Sequence, residues 1–223
     1  RSPDLRARCT ICGRTWAVIL CAATVAGCAT MTARTEPPYA PRPGDLLFQG
    51  AGAGAVSEAI AAVTAGVDGA QLSHVAMVTR ADAKQTLVIE AVEEGVREIP
   101  LDAFLSRRLD PSGRPQVIVG RLRSPYSFLI PAAVDAARER IGAPYDKAFR
   151  FGDDAYYCAE LIHEAFRIAN RGVDVFTPEP MTFNDPADGL PHPGWTAYYE
   201  ELGEPIPEGE PGLNPGAMSR APM

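Results

Sequence analysis

Three side chains of this sequence have the types that nucleophilic acyl transfer needs: Cys158, His74 and Glu90. Such chemistry takes a thiolate, a base that removes and returns its proton, and a group that orients the base. Cys158 stands at the head of Tyr156-Tyr157-Cys158-Ala159-Glu160-Leu161-Ile162-His163-Glu164-Ala165-Phe166. Leu161, Ile162, Ala165, Phe166 and Ala169 recur at helical spacing and predict a helix whose apolar face includes the cysteine. A thiol at a helix start lies beside unpaired N–H groups and the positive end of the dipole, and both favour negative charge on sulfur. A buried cysteine is as often an inert small hydrophobe. The helix alone leaves both readings open.

The base must come from elsewhere. Leu72–Arg80 and Thr86–Val92 read as strands, and the five residues between them predict a hairpin. If Arg80 faces Thr86, Ala76 faces Glu90 and His74 faces Val92, which makes His74 and Glu90 diagonal neighbours on one sheet face. A one-residue slip would put them on opposite faces. Glu90 shares its face with Val88 and Val92, where a lone charge is costly. It is therefore either an edge-strand residue reaching water or a buried partner of the imidazole. His163 follows the polar side of the cysteine helix and reads as a surface residue. His192, in Pro191-His192-Pro193-Gly194, reads as a bland loop residue, or as one that its loop carries over a cleft. A helix-borne thiol facing the sheet-borne His74 is the geometry that the chemistry requires. Cys158, His74 and Glu90 lack the close paired spacing of metal ligands, so no metal and no cofactor is expected.

The surrounding elements follow from punctuation and periodicity. Pro43-Gly44-Asp45-Leu46-Leu47-Phe48 is a turn entering a buried strand, and Val56–Ala65 a helix stopped by Gly66. A short helix runs from Leu101 to about Arg107, and Val117–Leu122 is a further strand. Ile130, Ala133, Val134, Ala137 and Ile141 mark an amphipathic helix ended by Gly142 and Pro144. Residues 181–195 read as loop, with Trp195–Tyr199 covering the core. Residues 203–223 hold five prolines and four glycines and read as a disordered tail.

The 223 residues suffice for one domain with a full core. Residues 1–27 carry a net charge of +3, so the rest carries −10. That acidic body, without a basic stripe, argues against nucleic acid as a partner. Arginines lead into the 13-residue apolar run Thr15–Gly27, too short to span a bilayer and suited to a signal peptide. It ends Val25-Ala26-Gly27-Cys28, which resembles a bacterial lipobox with Cys28 as the lipid attachment site. Ala29 after that cysteine suggests the periplasmic face of the outer membrane. Loss of the leader and acylation of Cys28 would leave Cys158 as the one thiol. The expected organisation is a signal peptide over 1–27, a Pro-rich tether over 28–42, a domain over 43–202 and the tail over 203–223.

Gly44-Asp45-Leu46-Leu47-Phe48, Ser73-His74-Val75-Ala76-Met77-Val78, Ile89-Glu90-Ala91, Gly142-Ala143-Pro144-Tyr145-Asp146 and Tyr157-Cys158-Ala159-Glu160-Leu161 together resemble the circularly permuted branch of the NlpC-type papain-like cysteine hydrolases, the YiiX/YaeF group. Histidine preceding cysteine is the mark of that branch. The resemblance implies an α+β, circularly permuted papain-like fold: a small antiparallel sheet packed against the cysteine-bearing helix. It also implies Cys158 as nucleophile, His74 as base and Glu90 as third member. Tyr157 is either part of the oxyanion hole or groove, or a packed aromatic. Tyr145 and Asp146 read as structural, and Glu160 as a brace for the helix. Ala159 stands where the family often has Ser, and Asp153 and Asp154 would disfavour a thiolate if close to the sulfur. The expected function is a cysteine amidase or endopeptidase acting on peptidoglycan peptides, anchored to the membrane through lipid. Two alternatives are a lipid-directed acyl hydrolase or acyltransferase related to lecithin retinol acyltransferase, and a non-catalytic wall-binding domain.

Overall fold

The structure, a computed structural model, describes residues 39–221 apart from 53 and 153. The expected signal peptide, the lipid site at Cys28 and the tether as far as residue 38 lie outside the described residues. The elements in chain order are β1 (Asp45–Gly50), α1 (Ala55–Val63), β2 (Leu72–Ala81), β3 (Thr86–Val92), β4 (Gly95–Pro100), α2 (Leu101–Leu105), β5 (Val117–Arg121), α3 (Ile130–Arg138), α4 (Cys158–Ala169), β6 (Glu179–Pro180), α5 (Pro193–Leu202), β7 (Pro211–Gly212) and α6 (Pro215–Arg220). Five strands make an antiparallel sheet in the order β4-β3-β2-β1-β5, and β6 pairs with β7.

Alternation along the strands divides the apolar residues between two faces. Leu46, Phe48, Val75, Met77, Ile89 and Ala91 face the larger core with Leu161, Ile162, Ala165 and Phe166 of α4. Leu47, Ala76, Val78 and Val88 face a smaller cluster closed by Phe104 of α2. His74 is two residues from Ala76, and Glu90 two from Val88, so both lie on the α2 face. The cysteine helix packs on the other face, contrary to the expectation that thiol and imidazole face one another across one sheet surface.

An interruption in the sheet resolves this. Pairing of β2 with β3 runs only from Ala81↔Thr86 to Met77↔Ile89. Beyond that point β2 stays with β1 as far as Gly50↔Leu72, and β3 stays with β4 as far as Val92↔Gly95. The ladder is therefore unzipped between the segments that carry His74 and Glu90. The expected Arg80–Thr86 alignment is off by one, since Arg80 pairs with Leu87 and Ala81 with Thr86. A bulge at Thr79 recovers the lost residue, and Met77↔Ile89 restores the register that places His74 diagonal to Glu90.

Gly95 ties this end of the sheet to the segment before α4. It has φ 103°, and a Cβ there would come within 2.5 Å of the Ala143 carbonyl oxygen. The close approach allows Val96 N–H to donate to Ala143 O, and Gly142 N–H to Val96 O, both at 2.9 Å.

Two expectations about the chain ends are corrected. Residues 39–42, assigned to the tether, are held against β1: Tyr39 Oη and Arg42 N donate to Asp45 at 2.8 and 2.9 Å. The segment after 203 is not a disordered tail. Leu213 and Met218 are buried, Asn214 caps α6 by accepting from Ala217 N at 2.8 Å, and Gly216 lies against the Ala65 backbone. Its few apolar residues dock together on the main core, which composition averaged over the segment conceals.

Candidate active site

Cys158 opens α4 and is buried beneath α1 and the C-terminal segment. The imidazole of His74 hydrogen-bonds Glu90, and Cys158 lies near enough to it to raise its proton affinity. The contact with Glu90 is 2.9 Å, from Nε2 to Oε2. The three sequence-selected residues therefore meet, sulfur from one face of the sheet and the imidazole–carboxylate pair from the other, where the β2–β3 ladder is open.

Glu90 is fully buried yet takes three donors. Arg97 Nε reaches Oε1 at 3.1 Å, and Arg107 Nη2 shares Oε2 with the imidazole. Burial alone would favour the neutral acid, but the bonds from His74 and Arg107 outweigh it and hold the carboxyl down at about 2. Burial likewise opposes charge on His74. The nearby Cys158 and the bond to Glu90 prevail and raise the imidazole from 6.5 to about 9. The edge-strand reading of Glu90 is thus excluded.

Neither arginine was singled out from sequence. Arg97 had a legible signal, because a tight turn at Glu93-Glu94 places it directly opposite Glu90 on β4. Arg107 had none; it comes from the end of α2, stacked 4.9 Å over the Phe104 ring. Gln49 was also missed. It is the cross-strand neighbour of His74, buried, and anchored by Nε2 to Phe104 O at 3.1 Å.

Two neighbouring cavities flank the His74–Cys158 pair, one lined by His74 and the other by Cys158. The larger, about 680 Å³, is lined by His74, Gln49, Arg107, Arg108, Tyr145 and Lys147, among others. The smaller contains Cys158 itself and is lined by side chains from α1, α5 and the 181–215 region. Ile60, Ser73 and Phe149 border both.

Tyr145 belongs to this site rather than to the scaffold alone. It lines the His74 cavity, and burial followed by the nearby Cys158 charge holds its phenol well above its ordinary value. Asp146 is structural as expected, accepting from Ala148 N and Arg150 N at 2.7 and 2.6 Å. Tyr157 is wedged between Phe149 and Phe151, and its hydroxyl accepts the Leu213 N–H at 3.1 Å. Glu160 reaches back toward Tyr157 N at 3.4 Å, a brace for the helix start. Asp154 lines a different cavity, on the far side of α4. His163 is not a surface residue. It is buried, stacks 5.1 Å from Phe151 and donates from Nδ1 to Phe176 O at 3.0 Å, because the 151–176 loops cover the side of α4 that looks polar on a helical wheel. His192 caps α5, accepting from Gly194 N at 3.1 Å.

A thiol at a helix start, served by a histidine–carboxylate pair on an antiparallel sheet, is the architecture of papain-like folds, here with histidine before cysteine in the chain. Residues 40–223 match the family described as permuted papain-like amidase enzyme, YaeF/YiiX, C92 family, and the chain belongs to that family. It is also similar to a crystal structure described as metalloprotein yiiX from Escherichia coli O157:H7, at 27% identity and a TM-score of 0.61, over 82% of this chain and 94% of that one. No curated protein matches the sequence.

Proposed function

We propose that the chain is a cysteine amidase working through an acyl-thioester, with Cys158 as nucleophile, His74 as proton carrier and Glu90 as the residue that orients His74. One observation supports this: a single imidazole, beside the Cys158 sulfur at the head of α4, is bonded to a buried, clamped carboxylate. With the imidazole raised to about 9, the thiol proton already rests on His74 at neutral pH, and the sulfur attacks the amide carbonyl as the anion of that pair. The oxyanion is met by N–H groups at the start of α4, with the Tyr145 hydroxyl as a further donor. Tyr157, whose ring is packed, serves as wall. The imidazolium then gives its proton to the leaving amine, and water, activated by the same imidazole, hydrolyses the thioester.

We take the substrate to be a peptidoglycan peptide and the enzyme to be lipid-anchored through Cys28 on the periplasmic side, as the leader of the sequence suggests. The rim of the larger cavity, with Lys147, Glu93, Glu201 and Arg108, suits a peptide bearing charges of both signs. A metal does not fit the triad. Both oxygens of Glu90 are taken by cationic or N–H donors, and a cation there would sit against two guanidinium groups.

Incubation of the protein with muropeptides and, separately, with phospholipid vesicles, followed by mass spectrometry of products and of the Cys158 peptide, tests this reading. Cleaved muropeptide with transient acylation at Cys158 is expected. Acyl transfer from lipid alone would favour the lipid-directed alternative. No product and no acylation with either would leave a non-catalytic wall-binding domain.

A further inference from the structure

We propose that the small cavity holding Cys158 is the acyl-side subsite, receiving the side chain next to the scissile carbonyl, and that it selects a short apolar one bearing one hydrogen-bond acceptor. This rests on the nucleophile assigned above.

The first ground is the direction of the reaction. His74 must hand its proton to the leaving nitrogen, so the amine departs on the imidazole side, into the larger cavity. The acyl group stays on sulfur and needs room on the other side. Room exists there: about 40 Å³, more than a single water needs. A short chain fits and a fatty acyl chain does not.

The second ground is the lining. Ile60, Val63, Met181, Phe183 and Leu213 surround the cavity, and no charged side chain lines it. The larger cavity carries arginines, a lysine and glutamates. An apolar pocket beside a polar cleft assigns the two halves of an amide to different sides of the sulfur.

The third ground is an orphaned donor. Trp195, 2% exposed, lines the small cavity, and its Nε1 is buried with no hydrogen-bond partner among the described residues. An unpaired buried N–H is costly; Nε1 is sealed as the indole stands, and a turn of the indole toward the cavity would let an oxygen on the bound acyl group satisfy it. Half of the lining residues come from residues 181–215, so the C-terminal segment contributes to acyl specificity.

The test labels the full chain with methyl, propyl and octyl methanethiosulfonate and follows the Cys158 peptide by mass spectrometry, each rate divided by that of free cysteine. The propyl reagent is expected to exceed the methyl by about tenfold, the gain of burying two further methylenes, and the octyl reagent to fall below the propyl. Leu213→Phe, checked for folding by thermal melting, should shrink the propyl advantage. Hydroxyethyl reagent should gain on ethyl in the native protein and lose that gain in Trp195→Phe. Equal normalised rates along the series, with Cys158 still faster than free cysteine, would overturn the subsite and leave the nucleophile standing. A propyl advantage untouched by Leu213→Phe would also overturn it. A Cys158 no faster than free cysteine with every reagent removes the nucleophile itself, and the subsite with it.

Discussion

His74 and His163 are two imidazoles on opposite sides of the cysteine helix, and burial lowers the proton affinity of both. At His163 burial wins. The Asp174 carboxylate is 3.6 Å away and 41% exposed, its field is spent in water, and the ring stays neutral as a stacked structural element. At His74 burial loses to the nearby Cys158 and to a direct bond with a carboxylate that is itself sealed from solvent. The same residue type stays neutral scaffold or holds its proton tightly, as the proposed proton carrier must, according to whether its acidic partner shares its burial.

Four measurements would break or sharpen that contrast. The largest effect is expected from Cys158→Ala, which should lower amidase turnover by at least ~10³-fold, whereas His163→Phe should leave turnover per folded molecule unchanged. His74→Gln should cost ~10²–10⁴-fold in turnover, read from initial rates on the same substrate.

The two histidines should also give opposite pH signatures in thermal melts. His74 binds its proton more tightly folded than unfolded, so its contribution is full below its ordinary value of 6.5 and is lost as pH rises through about 9. His163 is shifted the other way, so its contribution is full above 6.5 and is lost on acidification. His74→Gln should flatten the alkaline decline only, and His163→Phe the acid one near neutrality only. Glu90, held at about 2, adds a separate loss as pH falls from 4.5 toward 2.

Glu90→Gln should reduce turnover by ~10–10²-fold and lower the apparent value of His74 in a pH–rate profile. Unchanged turnover would remove Glu90 from the mechanism. The smallest effect is that of His163→Phe on stability: loss of the bond to Phe176 O should cost ~1–3 kcal/mol in denaturant unfolding.

Local pattern made much of this legible. The hairpin strands, the amphipathic helices and Cys158 at a helix start were set by alternation, by helical periodicity and by glycine and proline punctuation. Even the misaligned hairpin end did no harm, since the bulge at Thr79 restored the pairing nearer Glu90. Partners from remote segments were not legible. Nothing near Arg107 indicates that it will reach a strand seventeen residues earlier, and nothing in the proline- and glycine-rich end indicates that Leu213 and Met218 will be core.

The sequence by itself determined which side chains could react and on which elements they stand, because residue type and periodicity are local properties. Only the tertiary structure decided that the sheet unzips between β2 and β3, so that sulfur and imidazole meet from opposite faces. It also decided which histidine has a buried acid beside it, because desolvation and the strength of an ion pair depend on everything packed around the group.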